Sequence, residues 1–282
     1  MPSNTIFSII TPSYNMLPYL KRCVLSVQDQ QNVPLEHIVV DGLSSDGTVK
    51  WLRDNKRLKN IIEDDQGMYD ALNKGLKVAK GNIVAYLNCD EQYLPGTLAW
   101  VKNYFEHHPE VDLIFGDAYL IKPDGSLVAF RKGSQPRRLF ILASHLYVLS
   151  CTMFFRKKIL EAGHLFNPQY KCIGDEEFVV RLLQKKYIIK HVQKYLAVYT
   201  ITGKNLSRNV QAGHEKIKLL QQTPYFPANM AWLLNIARLM EKFFQGAYYQ
   251  KKPVEYSIYT NEDQQDRKKI RAQQASFKWR YD

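Results

Sequence analysis

Hydrophobic and polar positions follow two alternating periods through the first third of the 282-residue chain. Ile6-Phe7-Ser8-Ile9-Ile10-Thr11 is a short β-rich run closed by Pro12, which predicts a buried strand. From Leu17 to Asp29 the pattern turns helical, with Leu20, Val24 and Val27 on one face. His37-Ile38-Val39-Val40-Asp41 is a second strand, ending in Gly42. Ser45-Asp46-Gly47-Thr48 supplies helix-start chemistry for the segment through Trp51 and Leu52. Asn60-Ile61-Ile62-Glu63 forms a third strand. Met68, Ala71, Leu72, Leu76 and Ala79 then fall at helical spacing, and Gly81 stops that helix. Ile83 to Leu87 is a fourth strand, running into Asn88-Cys89-Asp90-Glu91.

Strands alternating with helices of this length predict an α/β fold with a mostly parallel central sheet flanked by helices. In such sheets ligands bind beyond the carboxyl ends of the strands. Ser13-Tyr14-Asn15, Asp41, Asp64-Asp65 and Asp90-Glu91 stand at those ends. One Asp after a strand is usually a turn or cap residue, and Asp41 and Asp46 taken alone read that way. Acids after three of four strands point to a site. Tyr69 and Tyr93 read as packing aromatics.

The middle third is mixed. Val111 to Gly116 is a strand, and Pro123-Asp124-Gly125 turns a hairpin between Ala118–Ile121 and Leu127–Phe130. Cys151 to Phe155 is an apolar strand. A helix from about Asp175 to Lys186 buries Phe178, Val179, Leu182 and Leu183. Past residue 220 the character changes. Leu233, Ile236, Met240 and Phe243 form a helical stripe, widened by Trp232, Leu239 and Phe244, and a polar stretch with Arg267-Lys268-Lys269-Ile270-Arg271 follows. The expected organisation is a catalytic domain over 1–220, its halves 1–95 and 96–220, with a helical, basic and aromatic extension over 221–282.

The net charge of +12 fits nucleic acid, an anionic membrane surface or a phosphate-bearing substrate. No helix-turn-helix, RNP or zinc signature favours nucleic acid, which is not an expected partner. Cys23, Cys89, Cys151 and Cys172 lie far apart without CxxC spacing, which argues against zinc and a disulfide framework. No apolar run reaches the ~18–20 residues that span a bilayer. Met1-Pro2-Ser3-Asn4 lacks the features of a signal peptide. The expected location is the cytoplasm, with contact at the inner face of the membrane. His107-His108 reads as a solvated helix end, and the sequon Asn205-Leu206-Ser207 would stay unmodified in a cytoplasmic chain.

No GxxxxGK[ST] loop exists and no GxGxxG follows the first strand, so kinase, P-loop and dinucleotide readings lose their support. Acids at a sheet edge suit a hard cation on a diphosphate, since Mg²⁺ takes one or two carboxylates plus phosphate oxygens. Asp90-Glu91 is the best such pair. A sugar-nucleotide nucleotidyltransferase would share these acids, but it calls for a Gly-rich basic loop where this chain has Thr11-Pro12-Ser13-Tyr14-Asn15.

Five stretches in order resemble glycosyltransferase family 2, whose members have the GT-A fold. They are Ser8 to Asn15; His37 to Gly42 with Ser45 to Thr48; Asp65 to Gly75; Gly81-Asn82 through Leu87 to Glu91; and Gly174-Asp175-Glu176-Glu177-Phe178 with Arg181. Four cover about the first 95 residues, and the fifth extends the likeness to about 185. The resemblance implies an inverting transferase that uses a UDP-, GDP- or dTDP-sugar and a divalent metal, Mg²⁺ or Mn²⁺. It places Pro12, Tyr14 and Asn15 at the nucleotide, Asp41 on the base edge, and Asp65 on the nucleotide. Asp90 would hold the ribose, the donor sugar or the metal. Glu91 would ligate the metal where Asp is usual in the family, and Asp175 would be the catalytic base. The implied acceptor is a glycan or lipid-linked hydroxyl, as in surface polysaccharide synthesis. The basic, aromatic C-terminal segment, including Trp279, is expected to touch an anionic membrane, or else to pack on the catalytic domain or pair two subunits.

Overall fold

The computed structural model describes residues 7–203, 210–223, 226–261 and 265–278. The sequon at 205–207 and Trp279 lie outside the described residues. Strands β1 (Phe7–Ser13), β2 (Leu35–Asp41), β3 (Lys59–Ile62) and β4 (Ile83–Tyr86) pair in parallel in the order β3-β2-β1-β4. Helices α1 (Leu17–Gln28), α2 (Thr48–Asp54) and α3 (Met68–Val78) connect them. These are the strands and helices that the hydrophobic periods predict.

Beyond β4 the sheet becomes mixed, where the pattern predicts mostly parallel strands. It continues through β8 (Phe154–Arg156), β6 (Leu113–Ile121), β9 (Ile189–Thr200) and β5 (Glu91–Tyr93), and β7 (Leu127–Arg131) pairs the free part of β6. The Pro123-Asp124-Gly125 turn forces β7 antiparallel to β6, and β8 enters antiparallel to both β4 and β6. Only β6 and β9 pair in parallel in this half. β6 runs unbroken through both of the strands expected at 111–116 and 118–121.

The sheet is buried on both faces. Cys23 and Val27 of α1 pack on one side with Leu98, Val101 and Phe105 of α4 (Thr97–His107). On the other side Leu72 and Leu76 of α3 pack with Phe178, Val179 and Leu182 of α7 (Gly174–Gln184). With both faces covered by apolar side chains, polar chemistry is left to the strand ends.

The remaining elements are α5 (Arg138–Ala143), α6 (Lys158–Glu161), α8 (Val210–Gln221), α9 (Ala231–Phe244), and the strands β10 (Val254–Ile258) and β11 (Lys268–Ala272). The extension that reads as helical therefore also carries an antiparallel hairpin. Val254, Tyr256 and Ile258 are buried against Tyr119, Ile121 and Phe130. Arg267 closes this contact: its Nη2 donates to Asp29 Oδ1 at 2.7 Å and its Nη1 to the Tyr93 carbonyl at 2.8 Å. Among the described residues no helix is long and apolar enough to cross a membrane.

Candidate active site

Chain direction sets the site. Because β1, β2 and β4 run the same way, Ser13 lies beside Asp41, and the residues after each strand gather at one edge. A cavity of about 1110 Å³ opens there. Pro12, Ser13 and Tyr14 line it from β1, Gly42 from β2, Asp64 and Asp65 from the β3 end, and Asn88 and Asp90 from the β4 end.

The loops at this edge brace one another. Asn15 adopts φ 51° and its Oδ1 accepts from Ser45 N at 2.8 Å, while its own N–H donates to Ser44 Oγ at 2.8 Å. Asp41 is buried. Its Oδ1 accepts from Ser44 N at 2.8 Å and its Oδ2 from Ser44 Oγ at 2.7 Å. Asp46 Oδ2 accepts from Leu17 N at 2.9 Å, and its Oδ1 from Thr48 N at 3.1 Å. Asn15 and Asp41, expected at the nucleotide, are therefore built into the loops behind the cavity wall, and neither lines it. Asp41 keeps the turn-capping role that its position alone suggests. What the braced loops present is the 65% exposed ring of Tyr14 and the carboxylate of Asp65, whose Oδ1 is fixed by Gly67 N at 2.7 Å. Gly42 makes room for both, because a methyl group there would lie 2.5 Å from Asp65 Oδ2.

Asp90 and Glu91 part company. Asp90 is half-buried on the cavity wall. Glu91 opens β5, is wholly buried, and accepts from Asn88 N at 2.8 Å and from Asn88 Nδ2 at 3.3 Å. Its pairing opposite Tyr199 of β9 fixes the backbone so that the carboxylate turns back onto Asn88. Glu91, expected as a metal ligand, does not line the cavity. Burial pushes both neighbouring carboxyls above the usual carboxylate range.

The cavity does suit a cation at Asp90. Among the described residues no three His, Cys, Asp or Glu side chains cluster into a metal cage. Mg²⁺ does not require one when phosphate oxygens complete its shell. Beside Asp90, the buried carbonyl oxygen Asn88 Oδ1 has no hydrogen-bond partner, and Ser13 Oγ is likewise unsatisfied. The Asp90 carboxyl thus borders the cavity beside two buried polar atoms that lack a partner, which a bound ligand would satisfy.

Asp175 lines the same cavity from the first turn of α7. Its Oδ1 accepts from the Tyr69 hydroxyl at 3.2 Å and from Glu176 N at 2.9 Å, and its own N–H donates to Tyr69 Oη at 3.1 Å. Gly174 permits this approach, since a methyl group there would lie 2.7 Å from the Tyr69 ring. Burial, and next the charge of Glu176, push the Asp175 carboxyl up to about 6 despite these hydrogen bonds. Glu215 of α8 holds the preceding loop, its carboxylate accepting from the N–H groups of Lys171, Cys172 and Ile173 at 2.7, 2.9 and 3.1 Å. Arg181 is structural, donating to Glu177 and to the Leu165 carbonyl.

Residues 8–163, more than half of the chain, match the family described as Glycosyl transferase family 2. The chain belongs to glycosyltransferase family 2. It is similar to a PGL/p-HBAD biosynthesis glycosyltransferase of Mycobacterium bovis, 28% identical over 208 residues that cover 70% of this chain and 78% of that one. It is also 26% identical to the putative teichuronic acid biosynthesis glycosyltransferase TuaG of Bacillus subtilis, covering 72% of this chain and 82% of TuaG. Among solved structures it resembles S. aureus TarS 1-349 in complex with UDP-GlcNAc, with a TM-score of 0.56, 17% identity, and 96% and 99% of the two chains covered. Against a longer TarS structure the chain spans 43% of its length. The mannosyltransferase PcManGT of Pyrobaculum calidifontis, in complex with GDP-Man and Mn²⁺, aligns with a TM-score of 0.53 at 17% identity, over 87% of this chain and 76% of that one. The fold is GT-A and the enzyme a glycosyltransferase, with relatives in glycan biosynthesis.

Pro12, Tyr14, Asp65, Asp90 and Asp175 share one cavity; Asn15, Asp41 and Glu91 support it from behind. Reading the chain alone missed Tyr69, whose partner Asp175 lies 106 positions away, and Asn88, which turns back on Glu91 three residues on. If Asp175 is the base, it must be ionised, so turnover should rise with pH through about 6 and level above it. Asp175→Asn keeps size and the helix-start hydrogen bonds, and it should lower kcat by ~10²–10⁴-fold. Calorimetric affinity for the donor should change little. Wild-type kcat in this variant would remove Asp175 from the role.

Proposed function

We propose that this enzyme transfers a sugar, with inversion, from a nucleoside diphosphate sugar (a UDP-, GDP- or dTDP-sugar) to a hydroxyl of a glycan or lipid-linked acceptor in surface polysaccharide or related glycan assembly. The observation that carries this is that Asp90 and Asp175 line one cavity together with Tyr14 and Asp65. The Tyr14 ring gives a base a stacking face, and Asp65 can accept from ribose hydroxyls. Asp90 and Asn88 would hold Mg²⁺ or Mn²⁺, and the metal, when bound, offsets negative charge on the leaving diphosphate. Asp175 Oδ takes the proton of the acceptor hydroxyl as its oxygen bonds to the anomeric carbon and the bond to the diphosphate breaks. Tyr69 keeps that carboxylate oriented. The neighbours solved with UDP-GlcNAc and with GDP-Man and Mn²⁺ support a nucleotide-sugar donor and a divalent metal.

The same reading places the enzyme at the surface of an anionic membrane. The α9 stripe, for which packing on the catalytic domain or pairing of two subunits were the expected alternatives, stays exposed among the described residues. Trp232, Phe243 and Phe244 are 62%, 66% and 78% exposed, and Leu233, Ile236, Leu239 and Met240 are exposed beside them. Lys242 on the same helix lines the cavity, so α9 borders the site. An amphipathic helix of this kind seats in the interface, and each Lys or Arg near an anionic surface adds ~1 kcal/mol.

Two measurements check these assignments. Donor hydrolysis scored across UDP-, GDP- and dTDP-sugars should need Mg²⁺ or Mn²⁺ and should be nearly abolished by Asp90→Ala. Full activity of that variant in excess EDTA would refute the metal assignment. In flotation, the full chain should rise with anionic vesicles and less so with neutral ones, and salt should weaken the effect. Trp232→Ser/Phe243→Ser/Phe244→Ser, all at exposed positions, should stay at the bottom. Equal flotation of both proteins, or none by either, would rule out α9 as the anchor.

A further inference from the structure

The cavity is not uniform in charge. Its lining carries Asp64, Asp65 and Asp90 at the strand ends, and a second set, Arg131, Lys216 and Lys242 gathered around His145. These four come from the end of β7, the loop after α5, α8 and α9, so four separate parts of the fold converge on one wall. Arg238, one helical turn before Lys242, is buried behind it, with its guanidinium 5.4 Å from the Tyr147 ring centroid and Nη2 donating to Asn235 Oδ1 at 2.7 Å.

The acids near this wall are engaged. Asp117 Oδ1 meets His191 Nε2 at 2.8 Å and accepts from Gly133 N at 2.9 Å. Glu176 pairs with Lys216 and accepts from Leu146 N at 3.1 Å. Glu241 pairs with Arg137 at 2.8 Å. Lys242 makes no ion pair among the described residues; its ammonium lies 5.8 Å from the Tyr248 ring centroid. The resulting field is visible in its effects. Burial, with Arg131 and Arg238, pushes the Lys242 ammonium down to about 8. Burial, with four surrounding cations, pushes the His145 imidazole down to about 4. Buried like charges are costly unless something of opposite sign joins them.

We propose that this wall binds an anionic group, a phosphate or a carboxylate, carried by the acceptor. The proposal rests on the glycosyl-transfer reading and adds the chemical class of the acceptor to it. The acids come from the ends of β3 and β4 and the four cations from β7, the loop after α5, α8 and α9, so different parts of the fold carry the two sets. Asp175 stands at the junction. Tyr69 joins it to the donor side, and the adjacent Glu176 joins it through Leu146 and Lys216 to the cationic side. An acceptor anchored by its anion on the cationic wall therefore presents a hydroxyl to Asp175.

Calorimetry on the full chain tests this, with UDP and Mn²⁺ filling the donor end and glucose 1-phosphate, glucuronic acid and glucose as probes. At least one charged probe should bind the UDP-loaded enzyme about tenfold or more tightly than glucose, the scale of a charge-assisted hydrogen bond. Lys242→Gln should remove most of that preference without changing UDP affinity, and Lys242→Arg should keep it; the probe that responds tells phosphate from carboxylate. The proposal is overturned if neither charged probe outbinds glucose, if UDP displaces the charged probe, or if Lys242→Gln binds it as the native chain does. Failure of UDP itself to bind, with the charged probe still sensitive to Lys242, would uphold the anion site and overturn the donor reading instead.

Discussion

β1 lies between β2 and β4 with all three chains running the same way, and this pairing decides where chemistry can occur. Its flanking helices cover both faces with apolar side chains, so the carboxylates that can meet a ligand stand at the strand ends. Polar groups collect where the strands stop. The parallel register brings Tyr14, Gly42, Asp65 and Asp90 to one edge, although they are spread over 77 positions of sequence. Slipping that register by one residue would turn each strand's buried set toward the opposite face, so the core that stabilises the sheet also fixes the site.

The second constraint is the burial of carboxyl groups. Glu91 is wholly and Asp90 and Asp175 partly withdrawn from water, and burial is the largest influence raising each carboxyl. Glu91 is satisfied by Asn88 and stays a structural group. Asp175 has hydrogen bonds from Tyr69 and Glu176 N yet still lies near 6, which suits a group that must accept a proton near neutrality. Among the cations of the lining the sign reverses, and Lys242 is held below its ordinary value. One cavity lining thus combines acids and cations, the division that the proposed two-substrate transfer calls for.

Legibility in the sequence followed the strength of local pattern. The first four strands and their helices could be read because short apolar runs alternate with clean helical spacing and each ends in Gly, Pro or Asp. β9 could not. Its Gln193-Lys194-Tyr195 stretch breaks alternation where the β6 partner shifts register between Phe115 and Ala118. β11 was hidden for a related reason: Lys268, Lys269 and Arg271 face solvent, so the strand carries charge instead of an apolar stripe. At the site, Asp65, Asp90 and Asp175 were legible as acids at strand or helix ends in a family-like order. Position did not separate Asp90 from Glu91, which required the side-chain directions set by β5 pairing. Tyr69 and the cationic wall were not legible, because the Tyr69 contact spans 106 residues and the wall draws on residues from 131 to 242.

At the centre of the account is a single displacement, with Asp175 deprotonating the acceptor and no carboxylate bonded to the sugar along the way. Product stereochemistry reads this directly. Proton NMR of the transfer product, made from an α-linked nucleotide sugar, should show the β-anomer as the first-formed product at all conversions. A first-formed α-anomer would mean retention, and it would contradict the roles given to Asp175 and to the two sets of cavity residues.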